Sequence, residues 1–162
     1  MRRVEVIAST VPRKSVSRYA PLPDTSVRFS IPSSGRTAAT IHGMDCSVLV
    51  VDDDREFRGL ATRLLTAMGL AVVGEASSFA AAEAMAAVLR PDAALVDIGL
   101  PDGDGLVLAQ QLAALPWRPR VVLTSSDPDA GSTTVARSNG AIGFIAKEEL
   151  PGASLRAMLV GE

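Results

Sequence analysis

Aspartates follow two short apolar segments that have the composition of buried strands. Asp52 and Asp53 come directly after residues 47–51, and Asp97 follows residues 93–96. Because the carboxyl ends of parallel strands meet at one edge of an open α/β sheet, we expect these carboxylates to lie close together. Neighbouring carboxylates repel one another until a cation neutralises them, and Mg²⁺ prefers such oxygen ligands. The sequence therefore predicts a divalent-cation site.

A hydroxyl and an ammonium group stand at the ends of two later apolar segments. Thr124 follows residues 121–123, and Lys147 follows residues 143–146. Considered singly, Thr124 is an ordinary β-branched strand residue and Lys147 an ordinary surface lysine. Together with the carboxylates they form a set suited to phosphoryl transfer. Asp97 is the candidate nucleophile, which would form an acyl phosphate, while Thr124 and Lys147 can each hold a phosphoryl oxygen.

Apolar periodicity predicts a regular alternation of strands and helices. The predicted strands are 47–51, 71–73, 93–97, 121–124 and 143–146. The predicted helices are 57–68, 79–90, 106–115, 130–138 and a last helix with Pro151 in its first turn. The first helix has an apolar stripe made of Phe57, Leu60, Ala61, Leu64, Leu65 and Met68, and Asp54 is expected to cap it. Five β–α units favour an α/β fold with a doubly wound, five-stranded parallel sheet of the flavodoxin-like type.

The totals are those of one globular domain. The chain has 162 residues, 48% of them hydrophobic, and its formal net charge of −2 gives no reason to expect nucleic acid as a partner. No apolar stretch reaches the roughly 20 residues that span a bilayer. Cys46 is the single cysteine, and we expect it to be buried and unreactive. These features, with no secretory signal, predict a cytoplasmic protein without membrane contact.

Residues 1–44 lack the periodicity of a folded segment. They are rich in Ser, Pro, Thr and Arg, and seven basic against three acidic residues lie in 1–45, which leaves a net charge of −6 for the remainder. Such a composition buries too little apolar surface to offset the entropy of ordering. We predict a disordered basic tail at 1–44 and a folded domain at 45–162. Because Met44 lies just before the first strand, a non-native extension is a further interpretation of the tail, and its Arg- and Ser-rich, acid-poor start also resembles an organellar transit peptide.

From about residue 47 to residue 160 the chain resembles the receiver domain of two-component response regulators. The matching motifs are Val50-Val51-Asp52-Asp53, residues 91–97, Leu123-Thr124-Ser125, and Gly140-Ala141 through Phe144 to Lys147. The resemblance implies that Asp97 accepts a phosphoryl group from a histidine kinase or a phosphotransfer protein, in a reaction that needs Mg²⁺ or Mn²⁺. The implied metal ligands are Asp53, Asp97, the Gly99 backbone carbonyl and, mostly through water, Asp52.

The resemblance also implies how a signal leaves the domain. Thr124 corresponds to the switch hydroxyl and Phe144 to the switch aromatic, and both would alter the surface of the fourth helix, fifth strand and fifth helix. The family often has proline after the lysine, where Glu148 stands here, and often an output domain after the receiver, which these 162 residues do not contain. We therefore expect a single-domain regulator that contacts an unidentified protein or forms a homodimer. Neither direct DNA binding nor enzymatic activity beyond its own phosphorylation and autodephosphorylation is expected.

Three alternative interpretations involve the same residues. Asp52-x-Asp54 after a strand is similar to the nucleophile pair of haloacid-dehalogenase-like phosphatases, although Glu56 stands where that family has Thr or Val and Asp97 would have no role. The glycines after the third strand are too few for a dinucleotide-binding fingerprint. A pseudo-receiver that binds its partner without phosphorylation would not need the complete set of site residues.

Overall fold

A computed structural model describes residues 46–152 and 154–162, so the predicted tail at 1–44 lies outside the described residues. The elements in chain order are β1 (Ser47–Val51), α1 (Arg55–Ala67), β2 (Ala71–Ala76), α2 (Phe79–Leu89), β3 (Ala93–Asp97), a two-stranded hairpin (Gly99–Leu100 with Gly103–Asp104), α3 (Gly105–Ala113), β4 (Arg120–Ser125), α4 (Thr133–Ser138), β5 (Gly143–Ala146), a 3₁₀ turn (Lys147–Glu149) and α5 (Ser154–Val160). None of the helices in this described part is long and apolar enough to cross a membrane.

The five long strands form one parallel sheet in the order β2-β1-β3-β4-β5. From β1 the chain goes to β2 on one side of β1 and then crosses to β3 on the other side. The carboxyl ends of β1 and β3 therefore border the crevice where such sheets bind ligands. The predicted doubly wound, flavodoxin-like fold is confirmed.

Helices cover both faces of the sheet because successive strand residues point to opposite sides. Leu49 and Val51 of β1 belong to the core cluster under α2, α3 and α4, whereas Val48 and Val50 pack in the cluster under α1 and α5. All four side chains are fully buried. The central strands therefore read as continuous apolar runs, as buried parallel strands do.

Three local predictions were wrong. Leu60 is 42% exposed, because it lies one residue before the fully buried Ala61 and so about 100° around the helix from it. Helix α4 begins at Thr133 rather than at residue 130, since the side chain of Ser132 caps it by accepting a hydrogen bond from the Val135 N–H. Pro151 stands in a turn before α5 and not in its first turn.

Candidate functional site

Each predicted site residue stands at the carboxyl edge of the parallel sheet. Asp52 and Asp53 follow β1 directly, Asp97 is the last residue of β3, and Lys147 follows β5. Thr124 of β4 is the register partner of Asp97 on the neighbouring strand. Parallel pairing brings these residues together from positions up to 95 residues apart in the chain, as the sequence predicts.

The three aspartates form a cluster of oxygen ligands. One carboxylate oxygen from each of Asp52, Asp53 and Asp97 lies within 4.8 Å of the others. Asp52 is completely buried and Asp97 is 5% exposed, whereas Asp53 faces solvent. Hard divalent cations such as Mg²⁺ and Mn²⁺ prefer carboxylate oxygens, and an exposed ligand leaves room for the waters that Mg²⁺ retains. The donor set therefore fits these ions.

Lys147 lies between the two buried carboxylates. Its Nζ is 2.7 Å from Asp52 Oδ2 and 3.4 Å from Asp97 Oδ2. The lysine thus supplies one positive charge to the acidic cluster. Three carboxylates against one ammonium group still leave the cluster with excess negative charge.

The pKa values at the site follow from burial and this pairing. Burial raises the pKa of Asp97 above its ordinary value, and the charge of Asp52 raises it further, against the lowering effect of Lys147. For Lys147 burial acts to lower the pKa, but hydrogen bonding to Asp52 and the charges of Asp52 and Asp97 raise it above the ordinary lysine value. Lys147 is therefore fully cationic at neutral pH.

The hydroxyl of Thr124 is buried and has no hydrogen-bond partner among the described residues. An unpartnered buried hydroxyl is costly, and this one is available to donate to an acceptor oxygen. Phe144, the predicted switch aromatic, is half-buried on the adjacent strand. A Cβ atom added to Gly131 would come within 2.7 Å of the Phe144 ring, so the ring packs directly on the β4–α4 loop.

Two glycines lie close to Asp97, one beside its carboxylate and one against its backbone. A Cβ atom at Gly99 would lie 3.9 Å from Asp97 Oδ2, which places Gly99 beside the carboxylate as the predicted ligand set requires. At Gly105 a Cβ atom would overlap the Asp97 carbonyl oxygen, so only glycine fits there.

Two further residues contact the site without having been predicted there. The Phe57 ring lies 4.5 Å from Lys147 Nζ in a cation–π contact, and Arg58 donates a 2.6 Å hydrogen bond to the Asp52 carbonyl. The apolar stripe predicts Phe57 only as a core residue. Its place in the first turn of α1, three residues after Asp54, is the available signal; Arg58 offers none.

The family model of the response regulator receiver domain matches residues 48–159. The chain belongs to this family. Receiver domains are the phosphorylated signalling modules of two-component systems, and the matched range contains every site residue described above.

Solved receiver domains share this fold. The beryllofluoride-activated N-terminal receiver domain of RstA from Klebsiella pneumoniae is 32% identical, with a TM-score of 0.60 over 70% of this chain and 94% of that chain. The response regulator domain of CheB from Thermotoga maritima is 25% identical, with a TM-score of 0.62 over 72% of this chain and 96% of that one.

Curated relatives carry the receiver within longer proteins. A protein-glutamate methylesterase/protein-glutamine glutaminase of Dechloromonas aromatica is 40% identical over 108 residues, which make up 65% of this chain and 31% of the relative. A second such protein, from Cereibacter sphaeroides, is 38% identical over 64% of this chain and 29% of its own length. This receiver chain thus spans about a third of the length of these relatives.

Proposed function

We propose that this receiver accepts a phosphoryl group on Asp97 from a histidine kinase or phosphotransfer protein and passes the signal on by protein contact. The observation that carries the proposal is the convergence on Asp97 of a partly buried lysine, an unpartnered threonine hydroxyl and two further carboxylates. Each of these groups has a role in phosphoryl transfer. Packing alone would not require all of them at one place.

In the proposed reaction an oxygen of the Asp97 carboxylate attacks the phosphorus atom of the donor. A bond forms between that oxygen and phosphorus, while the bond from phosphorus to the donor nitrogen or oxygen breaks and its electron pair leaves with the donor. The product is an acyl phosphate on Asp97. Asp97 must be ionised to attack; burial and the charge of Asp52 raise its pKa, whereas Lys147 and a bound cation favour the ionised form.

The remaining residues stabilise the negative charge of the phosphoryl group. The Lys147 ammonium group already lies 3.4 Å from Asp97 Oδ2 and can move its contact to a phosphoryl oxygen. The Thr124 hydroxyl gains the partner it lacks by donating to another phosphoryl oxygen. Asp53, Asp97, the Gly99 carbonyl and, through water, Asp52 would hold Mg²⁺ or Mn²⁺, which supplies charge neutralisation and orientation when bound.

We propose that the output surface comprises α4, β5 and α5. Phosphorylation shifts a conformational equilibrium only through contacts that differ between the two states, and the bond from Thr124 is such a contact. Phe144 packs on the β4–α4 loop and lies beside Thr124's strand, so it can transmit a movement of that loop to the surface. The partner at this surface is a downstream protein or a second receiver rather than DNA.

Three broader expectations remain predictions. We place the receiver at 45–162 after a basic tail, expect it to act as a separate cytoplasmic protein, and expect no enzymatic activity beyond its own phosphorylation chemistry. The longer relatives support the alternative, in which the receiver is joined to an effector. The phosphatase alternative loses its support, because Asp54 is occupied as the cap of α1, where it accepts hydrogen bonds from the Glu56 and Phe57 N–H groups. A pseudo-receiver is an outcome of the following test.

Adjacent aspartates provide a matched pair of variants. Acetyl phosphate and Mg²⁺ should label the wild-type protein, and Asp53→Asn should remove the labelling without unfolding the domain because the Asp53 side chain is exposed. Asp54→Asn should keep full labelling, since asparagine is also a good helix cap. Labelling that survives Asp53→Asn but not Asp54→Asn would favour the phosphatase alternative. A wild-type protein that is never labelled would indicate a pseudo-receiver.

A further inference from the structure

Asp102 lies in the loop after β3 and is hydrogen-bonded to the amino end of α2. Its Oδ1 accepts a 2.6 Å hydrogen bond from the Phe79 N–H, and its Oδ2 accepts a 3.1 Å bond from the Ala80 N–H. These are the first two amide groups of α2, which have no partner inside the helix. The carboxylate thus caps a helix from 22 and 23 residues away in the chain.

The helix does not depend on Asp102 for capping alone. Ser78 is its local cap and accepts a 3.2 Å bond from the Ala81 N–H. A second contact joins the same two segments, because a Cβ atom at Gly103 would come within 2.6 Å of the Phe79 ring. The amino end of α2 is therefore fastened to residues 102 and 103 by hydrogen bonds and by packing.

Asp102 stands at the tip of the hairpin whose other end borders the acidic site. Gly99 pairs with Asp104, and Leu100 pairs with Gly103, so Gly99 and the tip with Asp102 belong to one paired unit. At its base, the Ile98 N–H donates to the Thr124 carbonyl at 2.9 Å. Because Gly99 is paired within the hairpin while Asp97 belongs to β3, we expect a displacement of the tip to change the position of Gly99 relative to Asp97.

We propose that Asp102 is a positioning residue that couples order at the amino end of α2 to cation binding at the acidic site, through the hairpin that carries Gly99. The inference rests on the proposed function, in which Gly99 contributes a ligand. Coupling of this kind is reciprocal. Cation binding should order the amino end of α2, and loss of the contact between Asp102 and α2 should lower the affinity for the cation.

The charge of Asp102 suits this role. Burial acts to raise the pKa of Asp102, but hydrogen bonds from the Ala80 and Phe79 N–H groups hold this pKa below its ordinary value. The side chain is thus ionised at neutral pH, and its negative charge lies at the positive end of the α2 dipole. Charge and geometry can be separated, since asparagine has one acceptor oxygen and no charge.

A titration of the full chain with MgCl₂, followed by amide NMR and hydrogen exchange, tests the coupling. In the wild-type protein, Mg²⁺ should shift the Asp53 amide and slow the exchange of the Phe79 and Ala80 amides. Asp102→Ala should lower the affinity for Mg²⁺ about five- to tenfold and make the exchange of these two amides insensitive to Mg²⁺. Asp102→Asn, which keeps one bond, should give a smaller loss.

Ser78→Ala is the matched control. It removes the local cap of α2, so the Ala81 amide should exchange faster while the Mg²⁺ affinity stays at the wild-type value. Equal weakening by Ser78→Ala and Asp102→Ala would overturn the inference, because general loosening of α2 would then explain both. Equal weakening by Asp102→Asn and Asp102→Ala would also overturn it, since direct attraction between the Asp102 charge and the cation would then explain the loss without the hydrogen bonds to α2. If Mg²⁺ leaves the wild-type Asp53 amide unchanged, the proposed metal site itself is wrong. If Asp53 responds but Phe79 and Ala80 do not, only the coupling is refuted.

Discussion

Replacing Thr124 by valine should stabilise the unphosphorylated domain while removing its response to phosphorylation. Valine has nearly the shape of threonine, so the exchange leaves the packing of β4 unchanged and deletes only the hydroxyl. That hydroxyl is fully buried and has no hydrogen-bond partner among the described residues. In most proteins such an exchange breaks a hydrogen bond and lowers stability. Here no bond to a described residue is lost, and a desolvation cost disappears.

The size of the effect follows from the cost of an unpaired buried polar group. That cost is about 1–3 kcal/mol, and we take about 1 kcal/mol because the site is open to solvent at Asp53. For a domain of about 100 residues, 1 kcal/mol raises Tm by roughly 4 °C. The gain should be absent after phosphorylation, when the wild-type hydroxyl has a phosphoryl oxygen to bind.

Thermal unfolding in EDTA measures the gain, with Ser125→Ala as the control. The Ser125 hydroxyl is partnered, because it accepts a 3.1 Å hydrogen bond from the Asp127 N–H, so its removal should lower Tm. Amide NMR of the phosphorylated Thr124→Val protein should then show no shift in α4 and β5, although Asp97 is labelled. A lower Tm for Thr124→Val, or the full wild-type shift pattern after phosphorylation, would refute the reasoning.

Three further outcomes are expected. Lys147→Met should lower the free energy of unfolding by about 3 kcal/mol in urea without Mg²⁺, because it leaves the buried Asp52 unpaired; an unchanged value would contradict the pairing. Deleting residues 1–44 should change neither Tm nor labelling, since the described core lies within 46–162, and a loss of several degrees would show that the tail packs on the domain. Cys46 should be alkylated slowly at pH 8 until urea is added, because burial and then the charge of Asp92 raise the pKa of its thiol. Its contribution to stability is therefore present below the ordinary thiol pKa and is lost as pH rises through the folded-state value, which stability curves at alkaline pH can check.

The placement of the site could be predicted because it depends on topology rather than on detail. Once 47–51 and 93–97 are identified as parallel strands, Asp52 and Asp97 must emerge at the same edge of the sheet. An error of one or two residues in a helix boundary, such as the late start of α4, does not move that edge. The same logic brings Thr124 beside Asp97.

Contacts between side chains far apart in the chain could not be predicted. The pairing of Lys147 with Asp52 and the capping of α2 by Asp102 depend on side-chain directions and loop positions that no local pattern encodes. Pro151 shows the same limit at the level of the backbone. Proline suits the first turn of a helix. Here the preceding Leu150 is fully buried in the core, and α5 begins only at Ser154.

The most direct test of the account is the phosphorylation of Asp97 itself. The wild-type protein and Asp97→Asn should be incubated with acetyl phosphate and Mg²⁺, and their intact masses compared, with peptide mapping of any added group. The account predicts one phosphoryl group on the wild-type protein, located on Asp97 and lost in EDTA, and none on the variant. Undiminished labelling of Asp97→Asn, or labelling of the wild-type protein at Asp52, would contradict it.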